Sequence, residues 1–185
     1  MLTKTAIFSV LAAASIASGA PAKRQDTLQP WQVTSFGVHT PSGRPGSYPW
    51  STITANITDP NALTLGTTPE GDAVTVPAGN TAVNCVAKWF STSATDLHNH
   101  LWPCDPTEDG YWYFEVLEGD SWDVQFTRVA DVLYQGSDYK KTYTATGTFR
   151  VGDNLSGTCG GSGVCNWGLK SESIPVLVTP TEVTA

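Results

Sequence analysis

Basic residues are scarce in this chain: Lys and Arg total 10 against 17 Asp and Glu, a formal charge of −7. A field of that sign repels phosphate backbones and anionic bilayers, which argues against nucleic-acid and membrane-surface partners. Histidine is rarer still, with only His39, His98 and His100 to serve as a general base. The GxSxG elbow of a serine hydrolase is missing, because Gly160-Gly161-Ser162-Gly163-Val164 puts valine where the last glycine belongs. Paired CxxC or His spacings of a zinc site are absent as well. Almost nothing has helical periodicity, and there are no internal repeats. The apolar run from Ala6 to Ala17 is too short for the roughly 20 residues that a membrane-spanning helix needs, so no membrane anchor is expected.

That run has a different meaning. Lys4, the apolar segment, and the small residues Ser18, Gly19 and Ala20 follow the order of a secretory signal peptide, with cleavage expected after Ala20. Residues 21–24 then read as a short propeptide ending in the dibasic pair Lys23-Arg24, which would leave Gln25 as the mature N-terminus. Losing Lys4, Lys23 and Arg24, and no acidic residue, takes the net charge from −7 to −10. The remaining segment, residues 25–185, suits one domain.

Four cysteines, Cys85, Cys104, Cys159 and Cys165, lie beyond the leader. An even count in an exported chain reads as two disulfides, for which three pairings exist. Cys85 with Cys104 and Cys159 with Cys165 is the expected set, because each pair is close in sequence and flanks loop-forming residues.

Alternation of apolar and polar residues makes strand the dominant element. Strands are expected at Trp31–Val38, with an irregularity at Gly37; at Trp50–Thr58, with Ile53, Ala55 and Ile57 on one face; and at Thr81–Phe90, with Val83, Cys85, Ala87 and Trp89 inward. Tyr111–Leu117 and Trp122–Tyr134 form the clearest hairpin, followed by Tyr139–Val151 and Ile174–Thr179. Between Asn61 and Gly79 only Ala73–Val76 looks extended, and the Gly-rich stretch around Cys159 and Cys165 reads as a cross-linked turn. The pattern predicts an all-β fold, an antiparallel β-barrel in preference to a sandwich, since closure leaves no edge strand exposed.

No catalytic residue, cofactor site or metal site is assigned. His98 and His100 are two residues apart with Asp96 and Asp105 nearby, but they sit in a polar loop rather than on a strand. The copper brace of a polysaccharide oxidase needs an N-terminal histidine, which neither Pro21 nor Gln25 provides. Paired carboxylates could hydrolyse glycosides, with Asp105, Glu108, Asp109, Glu115, Glu118, Asp120 and Asp123 as sources; solvated surface charge explains most of them more simply. The seven tryptophans carry more signal. Trp31, Trp89, Trp112 and Trp122 fall at inward strand positions, whereas Trp50, Trp102 and Trp167 lie in or near loops, where Trp102 is the leading candidate for a binding aromatic. Asn56-Ile57-Thr58 and Asn154-Leu155-Ser156 are N-glycosylation sequons.

The leader ending near Lys23-Arg24, the all-β mature chain, the NCVAKW segment at Asn84–Trp89, the following Cys104, and the Gly-rich pair Cys159 and Cys165 resemble the Alternaria major-allergen family of small secreted fungal β-barrel proteins, which includes plant-defence elicitors. The resemblance implies a barrel, disulfides Cys85–Cys104 and Cys159–Cys165, an extracellular location and no enzymatic activity. It also implies that a plant defence protein or a flavonoid-like phenolic is bound. Departures are the closeness of Cys159 to Cys165 and the lack of an extra N-terminal cysteine that would link two subunits. A module binding cell-wall polysaccharide is the main alternative, with a small secreted glycoside hydrolase behind it.

Overall fold

The computed structural model describes residues 27–93, 97, 98 and 100–184. The expected leader, propeptide and Gln25 start, together with Asp96, lie outside those residues. Among the described residues thirteen strands run in chain order: β1 (Trp31–Thr40), β2 (Trp50–Asp59), β3 (Leu63–Thr67), β4 (Ala73–Val76), β5 (Asn80–Phe90), β6 (Trp102–Pro103), β7 (Gly110–Val116), β8 (Trp122–Tyr134), β9 (Ser137–Phe149), β10 (Leu155–Cys159), β11 (Cys165–Leu169), β12 (Val176–Val178) and β13 (Thr181–Glu182). The first sheet has the order β10-β11-β1-β2-β5, with β12 on the early part of β1; the second has the order β13-β9-β8-β7-β6. A separate β3–β4 hairpin packs against β8 and β9.

The inner faces of the two sheets meet in one core. Val33, Phe36, Val38, Ile53, Ala55 and Ile57 from the first sheet join Trp112, Phe114, Val124, Phe126, Ala145 and Phe149 from the second. Phe36 lies flat on Phe149 at 3.8 Å between ring centroids, and Trp31 meets Trp112 edge-on at 4.7 Å, arrangements that favour aromatic packing beyond simple area burial. The all-β expectation therefore stands, but the barrel is corrected to a sandwich. Closure fails where β5 and β6 approach: the two edges form no ladder. They are tied instead by the Cys85–Cys104 disulfide and by the Asp105 N–H donating to the Val83 carbonyl at 3.0 Å.

Two bulges shape the first sheet, and both fall opposite Asn56. Thr34 is the extra residue on β1, and Val83-Asn84 oppose the single Asn56 from β5, with Asn84 at φ 52°. The extra residue reverses the facing of everything before it on β5. Ala82 is buried and Val83 is 39% exposed, correcting the inward placement of Val83. The irregularity expected at Gly37 lies at Thr34 instead, while Gly37 pairs in register with Thr54.

The β7–β8 hairpin forms as expected, and β8–β9 is longer, turning through Gln135-Gly136, both at positive φ (49° and 79°). That is the two-residue geometry whose twist matches a β-hairpin. The segment read as mostly irregular after Asn61 contains β3, whose Leu63 and Leu65 point inward while Thr64 points out. The Gly-rich stretch is a hairpin, β10–β11, with Cys159 and Cys165 paired across it and disulfide-bonded. Both expected disulfides are present, and no free cysteine remains.

Candidate binding cleft and the buried charge cluster

One end of the sandwich is closed by charge. Arg128, at an inward position of β8, is 1% exposed and donates to Asp59 Oδ2 at 2.5 Å and Asp109 Oδ2 at 2.9 Å. Asp59 ends β2 and Asp109 precedes β7, so the guanidinium bridges the two sheets. Each of the four carboxylate oxygens has at least one donor. Asp59 Oδ1 accepts from the Asn61 backbone N (2.8 Å) and Nδ2 (2.7 Å); Asp109 Oδ1 accepts from Asn80 Nδ2; and Asn80 Oδ1 accepts from Trp112 Nε1 at 2.6 Å. Asn61 in turn exchanges hydrogen bonds with the backbone of Gln29 at 2.7 and 2.9 Å. Burying three charges is costly unless each is paired and hydrogen-bonded, and here each is. Tyr143, cross-strand from Arg128, has its phenol pushed up to about 12, chiefly by burial, with the carboxylates of Glu182 and Asp59 adding to the shift and Arg128 opposing it.

The other end of β8 is open. Six residues back along the strand, roughly 20 Å at strand rise, Trp122 borders a cleft of about 490 Å³. Leu97, Val116, Trp122, Phe149 and Val151 give it apolar walls, with Asp120, Arg150 and His98 as its ionisable groups. His98 Nδ1 lies 3.0 Å from the Val116 carbonyl. A carbonyl only accepts, so Nδ1 carries a hydrogen and donates it. Among the described residues Asp120 is the one carboxylate lining the cleft. Just behind the rim, Asp123 Oδ2 accepts from Ser121 Oγ at 3.1 Å, while its buried Oδ1 has no hydrogen-bond partner among the described residues.

Trp31, Trp89 and Trp112 are buried as expected. Trp122 is only half-buried, because its strand position opens onto the cleft instead of the core centre. Trp102 is half-buried on β6 against Phe114; its Nε1 donates to the Leu97 carbonyl at 3.3 Å, and its ring lies 4.2 Å from that of His100. It anchors the segment that supplies Leu97 and does not line the cleft itself. Trp167 is half-buried within β11 and packs on the core, and Trp50, 37% exposed, begins β2 beside Phe90.

The expected carboxylate sources scatter. Asp105 Oδ2 accepts from Asn84 Nδ2 at 2.6 Å, whereas Asp109, read as a solvated loop charge, is buried in the Arg128 cluster. The sequence reading missed Asp59 and Arg128 as its partners; the only local signal was a charged residue at an inward position of a long apolar strand. Among the described residues no group of three or more His, Cys, Asp or Glu side chains could hold a metal ion, and no helix is long and apolar enough to cross a membrane. The two sequons differ. Asn56 is half-buried and uses Oδ1 to accept from the Asn84 N–H at 3.2 Å, whereas Asn154 is held at both ends, accepting from Arg150 N and donating Nδ2 to the Thr148 carbonyl, each at 2.8 Å. No family model matches the chain, and no curated protein or solved structure matches it either.

Proposed function

We propose that this is a secreted, non-enzymatic binding protein of the allergen and effector kind, and that the cleft beside Trp122 takes a small planar phenolic molecule. The cleft carries the reading. Its volume of about 490 Å³ is within the range of small-molecule sites, about 300–1,000 Å³, and apolar walls with a few polar groups are the usual composition of such sites. The Trp122 ring offers a face for stacking, and a phenol hydroxyl can donate to the Asp120 carboxylate.

The same geometry argues against hydrolysis. Glycoside cleavage uses two carboxyl groups about 5 to 9.5 Å apart across one bond, and among the described residues this cleft is lined by one carboxylate, Asp120. Asp59 and Asp109 share Arg128 and are buried away from it. Two disulfides accord with an oxidising, extracellular setting.

Titration of the disulfide-intact protein with flavonols and hydroxycinnamates, read by tryptophan fluorescence and calorimetry, tests the reading. Saturable binding that falls at least tenfold in Trp122→Leu and in Val151→Arg is the expected result. Absence of binding across the panel, or turnover of a bound phenolic, overturns it.

A further inference from the structure

The outer face of the first sheet is unlike the rest of this acidic protein. Within β1, β2, β5, β10, β11 and β12 the only carboxylate is Asp59, which points inward to Arg128. The second sheet, by contrast, carries Glu115, Asp123, Asp131, Asp138 and Glu182. Asp105 reaches the first sheet only at its margin, on Asn84.

Register lays out what this carboxylate-free face holds. One row across the strands runs Gly168, Gly37, Thr54, Val86; the next runs Asn166, His39, Thr52, Lys88; and beyond it Trp50 stands beside Phe90. Gly37 removes a side chain from the floor, leaving a trough of about 180 Å³ bordered by Thr52, Thr54, His39 and Asn166, with Gly168 paired beside Gly37 at its margin. A Cβ on Gly37 would stand 3.0 Å from Thr54 Oγ1, so the trough depends on that glycine. Four strands at a spacing near 4.8 Å make each row about 14 Å long. At its end Trp50 meets Phe90 edge-on at 5.7 Å, and the Lys88 ammonium lies over the rings of Trp50 (5.3 Å) and Tyr48 (5.5 Å).

From this we infer a second binding site, separate from the end cleft: the trough and its aromatic ledge take an uncharged polysaccharide chain lying across the strands. Charge selects the occupant. Threonine hydroxyls and an asparagine amide both donate and accept, as sugar hydroxyls do, and exposed aromatic faces suit the apolar faces of sugar rings. The one lysine has its ammonium over aromatic rings, and the protein as a whole is negative, so an anionic chain gains little and is repelled at longer range.

Pull-down of the full disulfide-bonded protein on insoluble β-glucan and chitin, with soluble polygalacturonate as the anionic arm in affinity electrophoresis, tests the inference. Retention on at least one neutral polymer is expected, with tenfold weaker retention for Trp50→Ala and for Gly168→Gln, whose side chain would reach over the trough from its margin and whose Cβ would make an ordinary contact with the Phe36 carbonyl oxygen at 4.0 Å. Both variants are first shown to melt within a few degrees of the parent. A saturating phenolic should leave retention unchanged. No retention on either neutral polymer, binding of polygalacturonate alone, undiminished retention of Gly168→Gln, or displacement by the phenolic each overturns the inference. The phenolic titration stands or falls independently.

Discussion

The two ends of β8 present opposite solutions to the same problem. At Arg128 the sheets are joined by three buried charges, each with hydrogen-bond partners. At Trp122 a cleft remains, bordered by the half-buried Trp122 and the exposed Val151, and one buried carboxylate oxygen of Asp123 has no hydrogen-bond partner among the described residues. Both ends contain carboxylates and a tryptophan. The difference is the supply of donors: Arg128, Asn61 and Asn80 satisfy every acceptor at one end, whereas Ser121 alone meets Asp123 at the other. Ionisable side chains become structural where partners converge on them and remain usable where they do not.

Breaking the closed end should have the largest effect. Arg128→Met leaves Asp59 and Asp109 buried without their cation and should cost about 3 to 5 kcal/mol, measured as a drop in urea midpoint. Adding Asp59→Asn and Asp109→Asn should restore much of that, because the uncompensated charges are then gone. A single-variant loss below about 1 kcal/mol would show that packing of Trp31 on Trp112 holds this end instead.

The staples come next. Removing Cys85–Cys104 by paired serine substitution should cost about 3 kcal/mol, and removing Cys159–Cys165 about 2, following the ring each closes. The separations are 19 and 6 residues. Thermal melts of the two double variants give the order directly, and a larger effect from the smaller ring would contradict it.

Tyr143 sharpens the contrast through pH. Its folded-state value of about 12 lies above the ordinary 10.0, so the protonated phenol favours the folded state. The contribution, about 2 to 3 kcal/mol, is fully present below pH 10 and is lost as pH rises from 10 to 12. Stability of the parent should fall across that window, while Tyr143→Phe should fall less steeply. Identical slopes would mean that other groups drive alkaline unfolding.

Smallest in stability is Val151→Arg at the open end. Val151 is 47% exposed, so the change should stay within about 0.5 kcal/mol while blocking the cleft to a phenolic. A comparable loss of stability would show that the open end, too, is structural.

What the sequence made readable follows from local pattern. Ile53, Ala55 and Ile57 alternate on an uninterrupted stretch of β2 and do face the core, and the cysteine pairs are near neighbours in the chain. Val83 was misplaced because the bulge depends on Asn84 adopting positive φ opposite Asn56, a cross-strand event with no signature within β5. Leu63 and Leu65 were passed over because a Thr- and Gly-rich context hides a short strand until its partner β4 is known. The charge cluster was least legible of all, since Arg128 lies 69 residues from Asp59 and 19 from Asp109; only the register of both sheets brings them together. The cleft likewise draws on segments around Leu97, Trp122 and Val151 that alternation alone cannot juxtapose.

The central place of β1 has a consequence for biogenesis. It emerges among the earliest strands, yet one of its two edges is completed by β11 and β12, close to the C-terminus, through pairs such as Gly37 with Gly168 and Trp31 with Val178. The β7–β8–β9 meander, by contrast, pairs neighbours and can assemble as it is synthesised. A nascent chain therefore carries an unpaired strand edge until β11 and β12 are released, the kind of edge that recruits other chains. Ribosomal stalling or truncation before Cys165 would yield a half-built first sheet, with that edge of β1 open.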